Sequence, residues 1–457
     1  MAIRLSPDKG GGLTMVGSTR WYSELTVSHA KVLIGSFLGW VFDGYENYAI
    51  IVVLGPVLKS LLTPEQFRSP AIWAGLVIGA VLLGWGIGGL VGGILADYIG
   101  RKTMMMWSVF LYALLSGLTA FSTSIWMLLA FRFLTGLAMG SEWSTGISLI
   151  NETWPERARA KGAGFLQSGF GFGTLLAALL WFLIADTKPF GFETWRLMFV
   201  FGALPAVFLL YIWKGVQESE RWKQAIREKR WAATEVASQV ASGAAEGKRP
   251  FTLAEVFRES ESRRRVILCF VLSVVTMIGW YAVASWLALF SVSMAVREGL
   301  PNAQSWGAWI AMLYTVGAIT AYLLAGFIAD GMGRRKYLIF TFLGCLVFTP
   351  IMYHFTPTVF AMQFVAPMNG FFTLGCAYSW MAIYPAELFT SSVRSTAISF
   401  VFNGSRLIAF FFPVIAGTMI NSFGGIANTA MILGTIYVIG LIVPIWLPET
   451  KGKGLAG

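Results

Sequence analysis

Two carboxylates, Asp43 and Glu46, stand inside the first long apolar run of the chain, in the stretch GWVFDGYENY at 39–48. Three residues apart, they share one face of a helix, bordered by Trp40 and Asn47. A charge near the middle of a bilayer costs at least ~2.5–3.5 kcal/mol on insertion scales, so such residues face water, a partner or a ligand. Two guanidinium groups are placed to meet them. At ~1.5 Å per helical residue, Asp43 lies ~18 Å, Glu46 ~22 Å, Arg132 ~20 Å and Arg406 ~16 Å above one membrane face. Acids that exchange protons and arginines that bind carboxylates, gathered at one depth, would make a polar site halfway through the lipid. Burial and a like-charged neighbour favour the protonated acid, and a nearby arginine favours the ionised one. An anionic ligand competing for that arginine would therefore link its own binding to protonation. Asp43 or Glu46 is the expected proton-coupling acid, Asp43 in preference, with Arg132 as a partner. Arg406 has no acid on its own helix and is expected to hold a ligand carboxylate, with Asn403 one turn earlier adding a hydrogen bond.

Other polar and aromatic residues reach the same level. Asn369 falls ~16 Å below the outer face and Trp280/Tyr281 ~23 Å above the inner one. Gln167 sits in the Gly-rich run FLQSGFGFG, and with Trp40 and Tyr378 it completes the expected lining. Glu142 differs, at only ~5 Å above the inner face. It is expected to join an inner gate with Trp143, meeting Arg159 or Arg101.

The elements that must position these groups follow from composition. Hydrophobic residues make up 56% of the 457, and only 12% are charged, too few to cover a soluble surface of that size. Mean hydropathy is +0.67. Apolar runs long enough to span a bilayer recur at 31–58, 71–96, 104–122, 125–147, 160–185, 196–214, 265–290, 306–329, 337–354, 358–382, 395–420 and 426–447. In lipid only helices or closed barrels satisfy the backbone, and these runs are too long and continuous for barrel strands. The expected fold is an all-α membrane protein of twelve transmembrane helices.

A net charge of +11 in such a chain points to basic loops facing anionic lipid and not to nucleic acid. The loops holding Arg101/Lys102, Arg157/Arg159/Lys161, Arg334/Arg335/Lys336, Arg394 and Lys451/Lys453 are the basic set. That places both termini in the cytoplasm. Cys269, Cys345 and Cys376 lie in apolar runs without metal-ligand spacing. His29 and His354 lie at span ends. Residues 1–30 show no cleavable signal peptide. No phosphate-cradling loop, metal cluster or nucleophile–base pair is visible, which argues against ATP-driven transport and against an enzyme. No cofactor is expected beyond the coupling proton.

The chain divides in two. A segment at 1–30 precedes a six-helix half at 31–214, a polar linker occupies 215–264, a second half fills 265–447, and a tail follows at 448–457. GGILADYIGRK at 92–102 is echoed by AGFIADGMGRRK at 325–336, NETWPERAR at 151–159 by AELFTSSVR at 386–394, and QESER at 217–221 by PETKG at 448–452. The three echoes fall at nearly one offset, which argues for duplication and a site between repeats.

Together with RFLTGLAMG and LPETKGKGL, these motifs resemble the major facilitator superfamily over 31–455. FDGYE in the first span and GSEWSTGISLINETWPERARAKGAGF are most similar to the metabolite:proton, sialate:proton and aromatic acid:proton symporters. LPETKGKGL is also usual in sugar porters, so a sugar or polyol stays open as the cargo, and a membrane sensor that keeps the fold without transport is a further alternative. The resemblance implies two pseudo-symmetric six-helix bundles and proton-coupled symport of a small organic anion by alternating access, in a monomer of a bacterial inner membrane. It implies that Asp97 and Arg101 join a charge cluster closing the inner gate, with Asp330 and Arg334 their counterparts. Glu152/Arg159 and Glu387/Arg394 belong to the matching loops.

Overall fold

The computed structural model describes residues 4–7, 13–16, 21–184, 193–220, 223–224, 252–389 and 394–452. Helices dominate. A short antiparallel hairpin pairing Arg4–Pro7 with Leu13–Val16 precedes the first of them and departs from an all-helical chain. Of the expected linker, 221–222 and 225–251 lie outside the described residues; the rest includes a helix at Thr252–Arg258 and the start of the seventh span at Ser260.

Local chemistry sets the helix ends. The first span starts at Val27, where Thr26 donates its backbone N–H to His29 Nδ1 at 3.0 Å in a capping box. Proline at the first position opens the second span, Pro70–Ile99. The Ser124 hydroxyl caps the fourth and that of Thr358 the tenth, each accepting a backbone N–H. In both copies of the repeated loop a glycine at strongly positive φ turns the chain into the next helix, Gly100 at 100° and Gly333 at 92°. A side chain there would clash, which accounts for the repeated glycine.

Among the described residues, nine helices are long and apolar enough to cross a membrane, and a bent pair makes a tenth. They are Pro70–Ala96, Glu156–Ile184, Thr194–Gly215, Ser260–Arg297, Ala303–Met332, Arg334–Phe355, Val359–Leu388, Thr396–Ile420 and Ile426–Trp446. The bent pair is the first span. Instead of running on to residue 58 it breaks at Val53, and Val27–Val52 and Leu54–Leu61 meet at 57°. Pro56 supplies the cause, since it has no N–H for the carbonyl four residues earlier. The expected third and fourth spans are present as Arg101–Thr119 and as Ile125–Met139 followed by Glu142–Thr153. Neither passes on apolar length, because one opens on two cations and the other is interrupted at Gly140–Ser141 and carries Arg132 and Glu142.

Within the first half, the first span packs on the fifth and the second on the fourth; within the second half, the eighth packs on the tenth and the ninth on the twelfth. Two seams join the halves: the second span lies along the eleventh, and the fifth along the eighth. The first seam is close because glycines face it. A Cβ at Gly89 would fall 2.1 Å from Asn403 Cγ. Ser399 also donates to the Gly89 carbonyl at 2.8 Å across this seam. The second half carries π-helical turns at Gly279–Val283, Phe371–Cys376 and Phe400–Gly404, inside the seventh, tenth and eleventh spans.

Candidate functional site

The four charges expected at one depth do not form one cluster. Glu46 turns into its own half. It accepts from Arg132 Nη1 at 3.0 Å and from the Ser116 hydroxyl, and Gly202 of the sixth span leaves room for its carboxylate. Arg132 donates further to Thr119 Oγ1 at 2.6 Å and Thr135 Oγ1 at 3.2 Å, and lies 4.6 Å from the Phe199 ring centroid. Both charges of this pair are buried and hydrogen-bonded.

Asp43 is fully buried, and neither of its oxygens has a hydrogen-bond partner among the described residues. Its acidic neighbour in the centre is not only Glu46. Glu142, expected at an inner gate beside Arg159 or Arg101, is fully buried against the first span instead. A Cβ at Gly39, one turn before Asp43, would fall 2.0 Å from Glu142 Oε1. Both Glu142 oxygens also lack hydrogen-bond partners among the described residues. The break at Gly140–Ser141 explains the misplacement, because a depth counted along an unbroken helix does not apply beyond it.

Arg406 reaches the same region from the eleventh span. It donates to the Phe402 carbonyl and to Asn403 Oδ1 at 3.2 Å. Its guanidinium lies over Trp85 at 4.3 Å and Phe402 at 4.1 Å, as cation–π contacts favour. Asp43, Tyr281 and Tyr378 are its electrostatic neighbours. Among the described residues no carboxylate stands within 4.0 Å of it, and its Nε has no acceptor.

Aromatic rings wall this space. Trp40 packs on Phe170 at 5.1 Å, Trp85 at 5.9 Å and Trp143 at 6.0 Å. Trp143 stacks on Phe402 at 3.6 Å across the two halves, and Tyr378 lies 6.5 Å from Phe402. Gln167 accepts from Trp143 Nε1 at 2.8 Å, so its carbonyl positions that ring. Asn47 donates to the Tyr281 hydroxyl at 3.4 Å, a second link between halves. Trp280 stacks on Tyr314 at 5.9 Å. Asn369 is committed elsewhere: its amide bonds Thr349 at 3.4 Å and Thr373 at 3.0 Å inside the second half. Trp85, Phe402 and Tyr112 were not anticipated, because aromatic residues in apolar spans carry no sequence mark of facing a cavity.

The repeated loops form two matching charge clusters on the basic face. Arg101 pairs with Glu152 at 3.3 Å, and Arg334 pairs with Glu387 at 2.6 Å and Asp330 at 3.0 Å. The acids of the third echo close each cluster. Glu218 accepts from the N–H of Arg101 and of Lys102, each at 3.0 Å. Glu449 does the same for Arg334 at 2.9 Å and Arg335 at 3.1 Å. Each carboxylate thereby caps the positive end of a helix. Partial burial works against the Glu449 carboxylate, but the N–H groups of Arg334, Lys451, Arg335 and Thr450 outweigh it and hold its pKa below the ordinary glutamate range. Asp330 also bonds Lys161 at 2.7 Å, tying the eighth span to the fifth. Arg159 donates to the Trp154 carbonyl at 2.9 Å. The side chains of Asp97 and Arg394 lie outside the described residues. Between the halves on this face opens a cleft of about 540 Å³, lined by residues that include Asn151, Arg159, Ala163, Asp330, Ala382 and Ala386.

The family model for sugar (and other) transporters matches residues 31–457. The chain belongs to that family. It is a multi-pass membrane transporter and not an enzyme. Among its relatives, the niacin transporter NiaP of Acinetobacter baylyi is 25% identical over 92% of this chain and 93% of its own. The sialic acid transporter NanX of Escherichia coli is 26% identical over 93% and 96%. The solved structure of the proton:xylose symporter XylE, of the major facilitator superfamily, superposes with a TM-score of 0.73. That match covers 94% of this chain and 98% of XylE at 18% identity, and it establishes the shared fold.

Proposed function

We propose that this transporter carries out proton-coupled symport of a small organic carboxylate, by rocking of its two halves about the central site. The observation that carries the reading is Arg406: a buried guanidinium with no carboxylate partner among the described residues, roofed by aromatic rings and facing an unpartnered acid. A buried cation without a counter-ion is costly, and a ligand carboxylate would relieve it with a charge-assisted, two-pronged bond. The six surrounding rings of Trp40, Trp85, Trp143, Phe170, Tyr378 and Phe402 favour a flat or partly apolar acid. NiaP and NanX support the carboxylate class, since niacin and sialic acid are both carboxylic acids. A neutral sugar would leave Arg406 uncompensated. The basic face is the cytoplasmic side of a bacterial inner membrane in this reading, with both termini there.

The test is uptake into proteoliposomes carrying an inward proton gradient, preceded by a thermal-shift screen of small carboxylates and sugars at two pH values. Expected is gradient-driven accumulation of a carboxylate that its amide and alcohol analogues do not compete for. Equal competition by the amide, or accumulation indifferent to the proton gradient, would overturn the reading.

A further inference from the structure

We propose that Asp43 and Glu142 together form the proton-exchanging unit, a pair of carboxyl groups from the first and fourth spans that hold one proton between them. This rests on the proton-coupled reading above and assigns its coupling site. Glu46, the acid nearest Asp43 in sequence, is neutralised by Arg132 and bonded to Ser116. Asp43 and Glu142 have no such compensation. All four of their carboxyl oxygens are buried without a hydrogen-bond partner among the described residues, and Glu142 is pressed onto Gly39, a single turn from Asp43. Two ionised carboxylates so placed repel each other at low dielectric, and each lacks the donors an ionised group needs. One proton held by the pair removes the mutual repulsion and leaves a single negative charge.

Another buried titratable group lies near these carboxyls. Tyr112 of the third span is fully buried, its hydroxyl has no partner, and its electrostatic neighbours are Asp43, Glu142 and Glu46. The remaining charged or titratable groups facing the pair are Glu46 with Arg132, and Arg406 with Tyr281 and Tyr378. The charge count then closes. Without cargo, a pair sharing one proton carries a single negative charge against the positive Arg406. When an anion occupies Arg406, the pair takes a second proton from the same aqueous side. Anion and proton leave together on the other side, and the first proton stays. One monoanion crosses with one proton and no net charge moves.

Two experiments test this. Dicyclohexylcarbodiimide modifies protonated carboxyls in apolar surroundings, and peptide mass spectrometry locates the adduct without any cargo. Adducts are expected at Asp43 and Glu142 and not at Glu46, with Glu142 still modified in Asp43→Asn. No adduct at Glu142 in either protein overturns the proposal.

The second experiment records internal pH with pyranine in proteoliposomes. The cargo is whichever of nicotinate, benzoate or N-acetylneuraminate stabilises the purified protein most. Asp43→Asn and Glu142→Gln are each expected to keep cargo-driven proton movement, because one exchangeable carboxyl remains. The double variant is expected to lose it while counterflow stays detectable. Loss in Asp43→Asn alone, with Glu142→Gln indistinguishable from wild type, would overturn the pair, as would proton movement surviving in the double variant. Absence of proton movement in the wild type would instead refute the symport reading and leave the carbodiimide result to decide on the pair.

Discussion

Removing one partner of the Glu46–Arg132 pair should destabilise the first half of the molecule more than removing both. The side chains are 0% and 1% exposed and meet at 3.0 Å. Stripping a buried ion pair of one member costs ~3–5 kcal/mol, because the survivor keeps its desolvation penalty. In Glu46→Gln the amide oxygen still accepts from Arg132, whose bonds to Thr119 and Thr135 and contact with Phe199 persist. That places the loss at the lower end, ~3 kcal/mol. With unfolding entropy of ~2.1 cal/mol/K per residue over a half of ~190 residues, melting should fall by roughly 8 °C. Arg132→Met strands the carboxylate with Ser116 alone and should fall further. The double variant Glu46→Gln/Arg132→Met buries neither charge and should recover most of the loss. Melting of the four proteins in one detergent, followed by size-exclusion of the soluble fraction, gives the cycle. A double variant whose loss equals the sum of the single losses would refute the reasoning, since the two groups would then act independently.

Arg406→Lys keeps the charge and loses the planar fork. A hydrogen bond to a charged group is worth ~1.5–3 kcal/mol, so apparent affinity for the carboxylate should weaken by about 10- to 100-fold, read as KM in uptake; an unchanged KM would remove Arg406 from the cargo site. Lys161→Ala cuts the ion pair that ties the fifth span to the eighth. Asp330 is 37% exposed and the pair is worth at most ~1 kcal/mol, so labelling of a cysteine at Ala386 in the cleft should rise no more than about five-fold, and chiefly at low salt. Glu449→Gln should lower the melting temperature at neutral pH. Because the folded carboxylate is held below its unfolded pKa, its contribution is fully present above that unfolded value, ~4.3, and is lost as pH falls through the folded one. The melting difference from wild type should therefore narrow as pH drops below ~4 and vanish once both states are protonated.

What could be read from residue order was set by lipid and by duplication. Apolar length marked the helices, because the bilayer leaves the backbone no other choice, and the repeated loops marked the halves and the acids that cap each Gly-Arg turn. Depth along a helix also put Asp43 and Arg406 at one level. It failed where a helix was not straight or where facing mattered more than height. Glu142 was set near the surface by counting through the break at Gly140–Ser141. Arg132 meets one of the two first-span acids, as expected, but that acid is Glu46, whose carboxylate a three-residue step turns away from Asp43 and into its own bundle. Asn369 shares the depth but spends its amide on Thr349 and Thr373. Pairings of this kind depend on which span lies beside which, and nothing in a single span records that.

The breaks are not shared evenly between the halves. Among the described residues, the first, second and fifth spans run as regular α-helix past the level of Asp43. Of their counterparts in the second half, the eighth is also regular, but the seventh and eleventh carry π-helical turns at Trp280/Tyr281 and just before Arg406, and the tenth span carries another before Tyr378. A π turn wedges one extra residue into the helix and can be passed along it at little cost, a feature frequent at functional sites. In this molecule Asp43 therefore stands on a regular helix and Glu142 beside the break in the fourth span, while the guanidinium and the cross-half ring Phe402 stand on a helix that carries a π turn. If cargo binding moves Arg406 towards Asp43, the movement should originate in the second half. It would also carry Phe402 off Trp143, coupling occupancy of the centre to the stack that joins the halves.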